Sequence, residues 1–256
     1  MSPAGTFHGP ATPEPLAVFA TIARPTAGPA VSSTSTIVTA EHFAYLAART
    51  RGEDRFLGSL KEAALARGIP PIWISPEQAS FMQVLLKASG ASEVVEVGTL
   101  AGYSAIAMAR ALPSGGRVRT IELLAKHADF AEEWIAGSDV ADRVEVHRGP
   151  GADVLERFAD DSADAAFLDA DKSGYPTYLA ECRRIVRPGG LILVDNAFAF
   201  GRLFDAQPSD REVAAVRAFN DLMAREVGLH GVIVPIGDGL WVSVIEESPD
   251  RTGENT

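Results

Sequence analysis

The residues best suited to chemistry in this chain are Asp169, Asp195 and Asn196, two carboxylates and an amide that are hard oxygen donors fit for Mg²⁺, Mn²⁺ or Ca²⁺. Asp169 follows the apolar run Ala165–Leu168, Asp195 follows Leu191–Val194, and the two stand 26 positions apart. That interval is what one strand, a crossover helix and a returning strand require if the two strands are neighbours in a parallel sheet, so both acids emerge at one sheet edge. No Cys or His joins the set, which disfavours zinc. Taken singly, either aspartate is equally at home as a helix N-cap.

Lys172 lies three positions beyond Asp169. Most lysines are solvated surface residues. Beside a dication, however, an ammonium is disfavoured by like charge, and the neutral amine can act as a general base. A cation that chelates two neighbouring oxygens of a small molecule, with Lys172 removing one hydroxyl proton, would prepare an oriented oxyanion nucleophile.

A second set of residues reads as a nucleoside site. The run Val94–Val97 passes into Gly98-Thr99-Leu100-Ala101-Gly102-Tyr103-Ser104 and a helical stretch, the place where an open α/β sheet exposes backbone to a ligand. The glycines let a ligand lie against the main chain, but the dinucleotide fingerprint G-x-G-x-x-G is absent, so a pyrophosphate is poorly served. Glu96, just before this turn, suits the ammonium of an amino-acid-like cofactor better than a phosphate. Glu122, which ends the next apolar run, can accept hydrogen bonds from both ribose hydroxyls. A ligand-free strand-to-helix turn remains the alternative for the glycines alone.

The elements that must position these groups alternate along the chain. Strand candidates are Val94–Val97, Arg117–Ile121, Val144–His147, Ala165–Leu168 and Leu191–Val194, with helical segments between most of them, the pattern of a parallel sheet covered by helices. Three helices come first: one from a Thr39 cap through Phe43, Leu46 and Ala47; one over about Glu53 to Arg67; and one capped by Ser75 with Pro76 at its first position, ending at Ser89-Gly90. After a helix around Arg211 to Val227, the runs Val232–Ile236 and Leu240–Ile245 flank Gly237-Asp238-Gly239, a hairpin signal, so the last two strands should be antiparallel.

Length and composition set the bounds. The chain has 256 residues, 46% hydrophobic and 22% charged, enough for one substantial core. Residues 1–38 read as a disordered extension rich in Pro, Ala and Thr, 39–247 as a single domain and 248–256 as a flexible tail. The formal charge of -11 opposes a nucleic-acid partner. Cys182, the only cysteine, reads as buried filler on a helix. No apolar run approaches the ~18 residues of a membrane span, and no basic segment precedes Leu16–Ala23, so the expected location is cytoplasmic.

Glu96-Val97-Gly98, Gly102-Tyr103-Ser104, Glu122, Leu168-Asp169-Ala170-Asp171-Lys172 with Tyr175 and Tyr178, Arg187-Pro188-Gly189-Gly190 and Asp195-Asn196 together resemble the cation-dependent class I O-methyltransferases, the catechol and caffeoyl-CoA group with its bacterial branch. The resemblance spans about Thr39 to Ile245. It implies a Rossmann-like α/β fold, a seven-stranded mostly parallel sheet with an antiparallel C-terminal hairpin and helices on both faces. It further implies S-adenosyl-L-methionine as cofactor, a small catechol-like or vicinal-diol acceptor, and a homodimer. Carried over by motif, Lys172 is the catalytic base, Asp169, Asp195 and Asn196 hold the cation, and Ser75, Glu96, Gly98, Ser104, Glu122, Gly151 and Asp169 border the cofactor. The family's Gly-Pro-Ala near the adenine stands here as Gly149-Pro150-Gly151, and its Leu-Trp-Gly-Gly after the last ligand is replaced by Ala197-Phe198-Ala199-Phe200-Gly201-Arg202. Phe198 and Phe200 would stack on a planar acceptor, or simply pack on their own domain. Methylation of a hydroxylated tRNA base and a non-catalytic nucleoside-binding protein of the same fold are the competing readings.

Overall fold

The computed structural model describes residues 38–206 and 210–247. The described elements all belong to one compact unit that begins at Ala40. The expected N-terminal extension and C-terminal tail lie outside the described residues, apart from Val38.

Seven strands form one sheet in the order β3-β2-β1-β4-β5-β7-β6. They are β1 (Glu93–Val97), β2 (Arg117–Glu122), β3 (Val144–Arg148), β4 (Ala163–Leu168), β5 (Val186–Val194), β6 (Leu229–Val234) and β7 (Leu240–Ile245). The first five pair in parallel, whereas β7 runs antiparallel to both β5 and β6. The chain steps outward from β1 to β3 and then returns beyond β1 to β4. The β1/β4 junction is therefore the switch point at which open α/β sheets leave a crevice.

Side chains alternate across the sheet with period two. Val94, Val118, Phe167 and Leu193 face one layer of helices: α2 (Arg55–Ala66), α3 (Pro76–Ser89), α4 (Tyr103–Ala109) and α5 (Ala125–Ala136). Val95, Val97, Ile121, Leu168 and Val194 face the other layer: α6 (Gly151–Leu155), α7 (Tyr175–Ile185) and α8 (Arg211–Met223). Fully buried anchors such as Leu60, Met82, Leu86 and Ile106 contribute about 2 kcal/mol each by leaving water. Glu96, Gly98, Asp169 and Asp195 share the parity of Val94, Phe167 and Leu193, so their side chains belong to the α2–α5 face.

Helix α3 starts as its sequence predicts. Ser75 is the N-cap, its Oγ accepting from Gln78 N at 3.2 Å, and Gly90 ends the helix in a left-handed conformation. Other boundaries move. α2 begins after an Asp54 cap that accepts from Leu57 N, and α8 stops at Met223. β5 begins five residues before the expected Leu191, because Val186 pairs with Ala163 across a register shift. β6 covers Leu229–Val234 instead of Val232–Ile236: Gly231 lies against Ser243, where a Cβ would overlap the serine hydroxyl. The first helix, α1 (Ala40–Ala47), buries none of its residues, so its apolar pattern does not mark a core face. Among the described residues, no helix is long and apolar enough to cross a membrane.

Candidate active site

Hydrogen bonding between parallel strands runs one residue past the strand ends. Gly98 N donates to Ile121 O at 3.0 Å, Asp169 N to Val97 O at 2.9 Å and Asp195 N to Leu168 O at 3.0 Å. Gly98, Asp169 and Asp195 therefore stand in one row on adjacent strands. Gly98, with φ +102°, carries no side chain because a Cβ would overlap the Asp169 carbonyl. The two aspartates do not cap helices, since α7 is preceded by Gly174 and α8 by Asp210.

The Asp195 carboxyl is buried and that of Asp169 half-buried beside it. Burial, reinforced by the Asp169 carboxylate, pushes Asp195 up to about 7. Burial likewise raises Asp169, against the lowering influence of the Lys172 ammonium. Gln78 of α3, itself buried, donates from Nε2 to Asp195 Oδ1 at 2.7 Å. Lys172 is only 5% exposed, so it is not a solvated surface lysine. Its Nζ donates to Tyr175 Oη at 2.7 Å and approaches Asp169 Oδ1 at 3.3 Å. Burial holds Tyr175 well above the usual phenol range, so its oxygen receives the lysine proton while its own hydrogen faces the carbonyls of Leu168 and Asp195. Asp171 fastens the turn that presents Lys172, accepting from Gly174 N, Ser173 Oγ and Tyr178 Oη.

Asn196 adopts φ 63°, and its Nδ2 donates to Asp238 Oδ2 at 3.1 Å. A carboxylate accepts only, which identifies the atom facing it as nitrogen and leaves Oδ1 available as a ligand. Ala199 and Phe200 also hold positive φ, each at a cost on the order of 1 kcal/mol. Strain of this kind persists where surrounding bonds over-determine the chain. Phe200 is exposed, and Lys172 Nζ lies 5.8 Å from its ring centroid, so it stands at the mouth above the lysine. Phe198 instead packs over Gly239, the domain-packing alternative for a loop aromatic.

The nucleoside-side residues gather at the same edge. Ser104 Oγ donates to Glu96 Oε1, while Glu96 Oε2 is buried with no partner. Burial pushes Glu96 up to about 8 despite the hydrogen bond from Ser104. Glu122 accepts from Leu100 N at 2.8 Å and Leu124 N at 2.9 Å, and each oxygen keeps a lone pair for a further donor. Gly151 begins α6 under the Tyr178 ring, where a Cβ would come within 2.8 Å. Ser75 serves as the α3 cap, one turn before Gln78. An unpartnered buried carboxylate oxygen beside a ribose-compatible acid fits a cationic nucleoside. Among the described residues no group of three or more His, Cys, Asp or Glu is placed to hold an ion; the candidate trio brings two carboxylates and an amide.

Residues 47–244 match the model of a family described as O-methyltransferase. The chain belongs to the O-methyltransferase family. It is 34% identical over 202 residues to a catechol O-methyltransferase of Niastella koreensis, covering 76% of this chain and 91% of that protein. It is 36% identical over 191 residues to a catechol O-methyltransferase of Mycobacterium tuberculosis, covering 75% and 86% respectively. A crystal structure of the O-methyltransferase from Bacillus cereus in complex with SAH superposes with a TM-score of 0.73 at 34% identity, over 79% of this chain and 96% of that one. The sheet and its reversed final strand are thus those of a Rossmann-like class I methyltransferase. Two residues of the candidate site have contacts that the sequence did not assign. Gln78 stands in the Ser75-Pro76-Glu77-Gln78 start of α3, which resembles the family helix along the cofactor, and Asp238 looks like a turn residue. The glycines on either side of Asp238 were the available signal.

Proposed function

We propose that the enzyme transfers the methyl group of S-adenosylmethionine to a hydroxyl of a small catechol-like acceptor, with a divalent cation held by Asp169, Asp195 and Asn196. The observation that carries this reading is the row formed by half-buried Asp169 and buried Asp195 beside the buried Lys172, two carboxylates against one lysine, which a bound cation would neutralise. The acceptor class follows the names of the two catechol O-methyltransferases, and the cofactor follows the SAH-bound relative together with the unpartnered Glu96 oxygen.

When bound, the sulfonium supplies the methyl group and the cation supplies charge stabilisation for an acceptor oxyanion. In its neutral amine form, which a nearby dication would favour, Lys172 Nζ would take the hydroxyl proton and return to the ammonium seen beside Asp169 and Tyr175. Tyr175 holds that nitrogen in place and does not compete for the proton, because burial keeps it a phenol. Glu96 pairs with the ammonium of the cofactor and Glu122 with its ribose.

The reading is tested by incubation with S-adenosylmethionine, Mg²⁺ and a panel of catechols, hydroxycinnamoyl esters and hydroxylated nucleosides, followed by mass. Catechols gain one methyl group; excess EDTA lowers the rate on the order of 10²-fold or more, and Mg²⁺ restores it. Full activity in EDTA removes the cation from the proposal. Cofactor binding carries its own signature. With Glu96 near 8, ammonium pairing at pH 7 ionises a protonated carboxyl and releases close to one proton. Calorimetry in buffers of different ionisation enthalpy reads that proton, and Glu96→Gln abolishes it; equal release from the variant assigns the proton elsewhere.

A further inference from the structure

The turn Gly237-Asp238-Gly239 between β6 and β7 holds Asn196 and the loop that follows it, and lies against Gln78. Asp238 Oδ2 accepts from Asn196 Nδ2 at 3.1 Å and Phe200 N at 2.7 Å, and Oδ1 accepts from Gly201 N at 3.0 Å. Its main-chain oxygen accepts from Phe198 N at 2.8 Å, and Gly239 O accepts from Ala197 N at 2.9 Å. Two successive amides closing on one carboxylate form the concave anion seat known from backbone nests. The flanking glycines are there because neighbours press on them: a Cβ at Gly237 would overlap Gln78 Oε1, the same amide that holds Asp195, and one at Gly239 would come within 2.8 Å of the Phe198 ring.

We propose that Asp238 is the positioning residue of this site, fixing the Asn196 amide with its oxygen free to ligate and fastening the acceptor-side loop Ala197–Gly201 to the same point. The inference rests on the cation reading above. An amide side chain with no partner samples both orientations; the Asp238 carboxylate, which can only accept, holds the Asn196 nitrogen toward itself and leaves the oxygen turned away from it. Outer partners of this kind typically change metal affinity by 10–100-fold. By holding Phe200 and Gly201 through their amides, the same carboxylate places the Phe200 ring near Lys172.

The test titrates Mn²⁺ into the cofactor-free protein by calorimetry and electron paramagnetic resonance. Asp238→Asn is expected to weaken Mn²⁺ binding about 10–100-fold, with S-adenosylmethionine affinity changed less than about twofold. The exchange variant Asn196→Asp with Asp238→Asn restores a carboxylate–amide pair in the opposite sense, and recovers at least about tenfold of the lost Mn²⁺ affinity relative to Asn196→Asp alone. Native Mn²⁺ affinity in folded Asp238→Asn overturns the positioning role. So does an exchange variant no better than Asn196→Asp, a comparison that stands even if Asp238→Asn alone does not fold. Absence of Mn²⁺ binding by the unsubstituted protein is a different failure, which removes the cation reading and the inference with it.

Discussion

Lys172→Met is expected to lower kcat by about 10²–10⁴-fold, the range over which a positioned general base contributes. Methionine matches the length of the lysine stem and suits a position only 5% exposed, so the variant should fold. Tyr175 Oη loses the donor now 2.7 Å away and Asp169 loses its counter-charge at 3.3 Å, but Glu96 on β1, Ser104 on α4 and Glu122 on β2 keep their bonds. S-adenosylmethionine affinity, read by calorimetry, therefore stays near its native value while kcat falls. A folded Lys172→Met enzyme turning over at the native rate would exclude the lysine as base.

Asp195→Asn should move stability and activity in opposite directions. Its carboxyl, near 7 in the folded protein against an ordinary 3.8, binds a proton more tightly folded than unfolded. Folding stability consequently declines as pH rises from about 3.8 to about 7, and is flat beyond. Asparagine keeps an oxygen for the Gln78 donor and removes the repulsion with Asp169. In EDTA, the variant should melt above the native protein at pH 8 and level with it at pH 3.5. It should also bind Mn²⁺ at least about 10²-fold more weakly, since a carboxylate ligand has become neutral. Melting below the native protein at pH 8 would contradict the charge-repulsion account, whatever the metal result.

The legible parts of this molecule were those in which a local pattern and a long-range spacing agree. The parallel strands, the Ser75 cap and the reversed final strand were read from apolar runs, cap residues and Gly-Asp-Gly, and the 26-residue interval correctly made β4 and β5 neighbours. Motif spacing also brought Asp169, Asp195 and Lys172 to one edge. Local patterns said less about where an element packs or ends. Helix α1 forms where its cap and apolar spacing put it but buries none of its residues, and the sixth strand starts three residues and ends two residues before its expected bounds, with Gly231 paired to Ser243 across the hairpin. The contacts of Gln78 with Asp195 and of Asp238 with Asn196 were not legible for a related reason. Those partners lie 117 and 42 positions away in sequence, and neither Gln78 nor Asp238 is unusual in its own element.

The way the acceptor-side loop is tied down bears on how such an enzyme can diversify. Asp238 grips Phe200 and Gly201 through their main-chain amides, groups that every residue except proline offers, while the Phe200 and Phe204 side chains project outward. The lysine and the oxygen row belong to the sheet edge, which the core fixes. On the proposed function, side-chain changes at Phe200 and Phe204 would alter what an acceptor meets while the main-chain tether to Asp238 and the oxygen row stay in place, so a new specificity need not pass through an inactive ancestor.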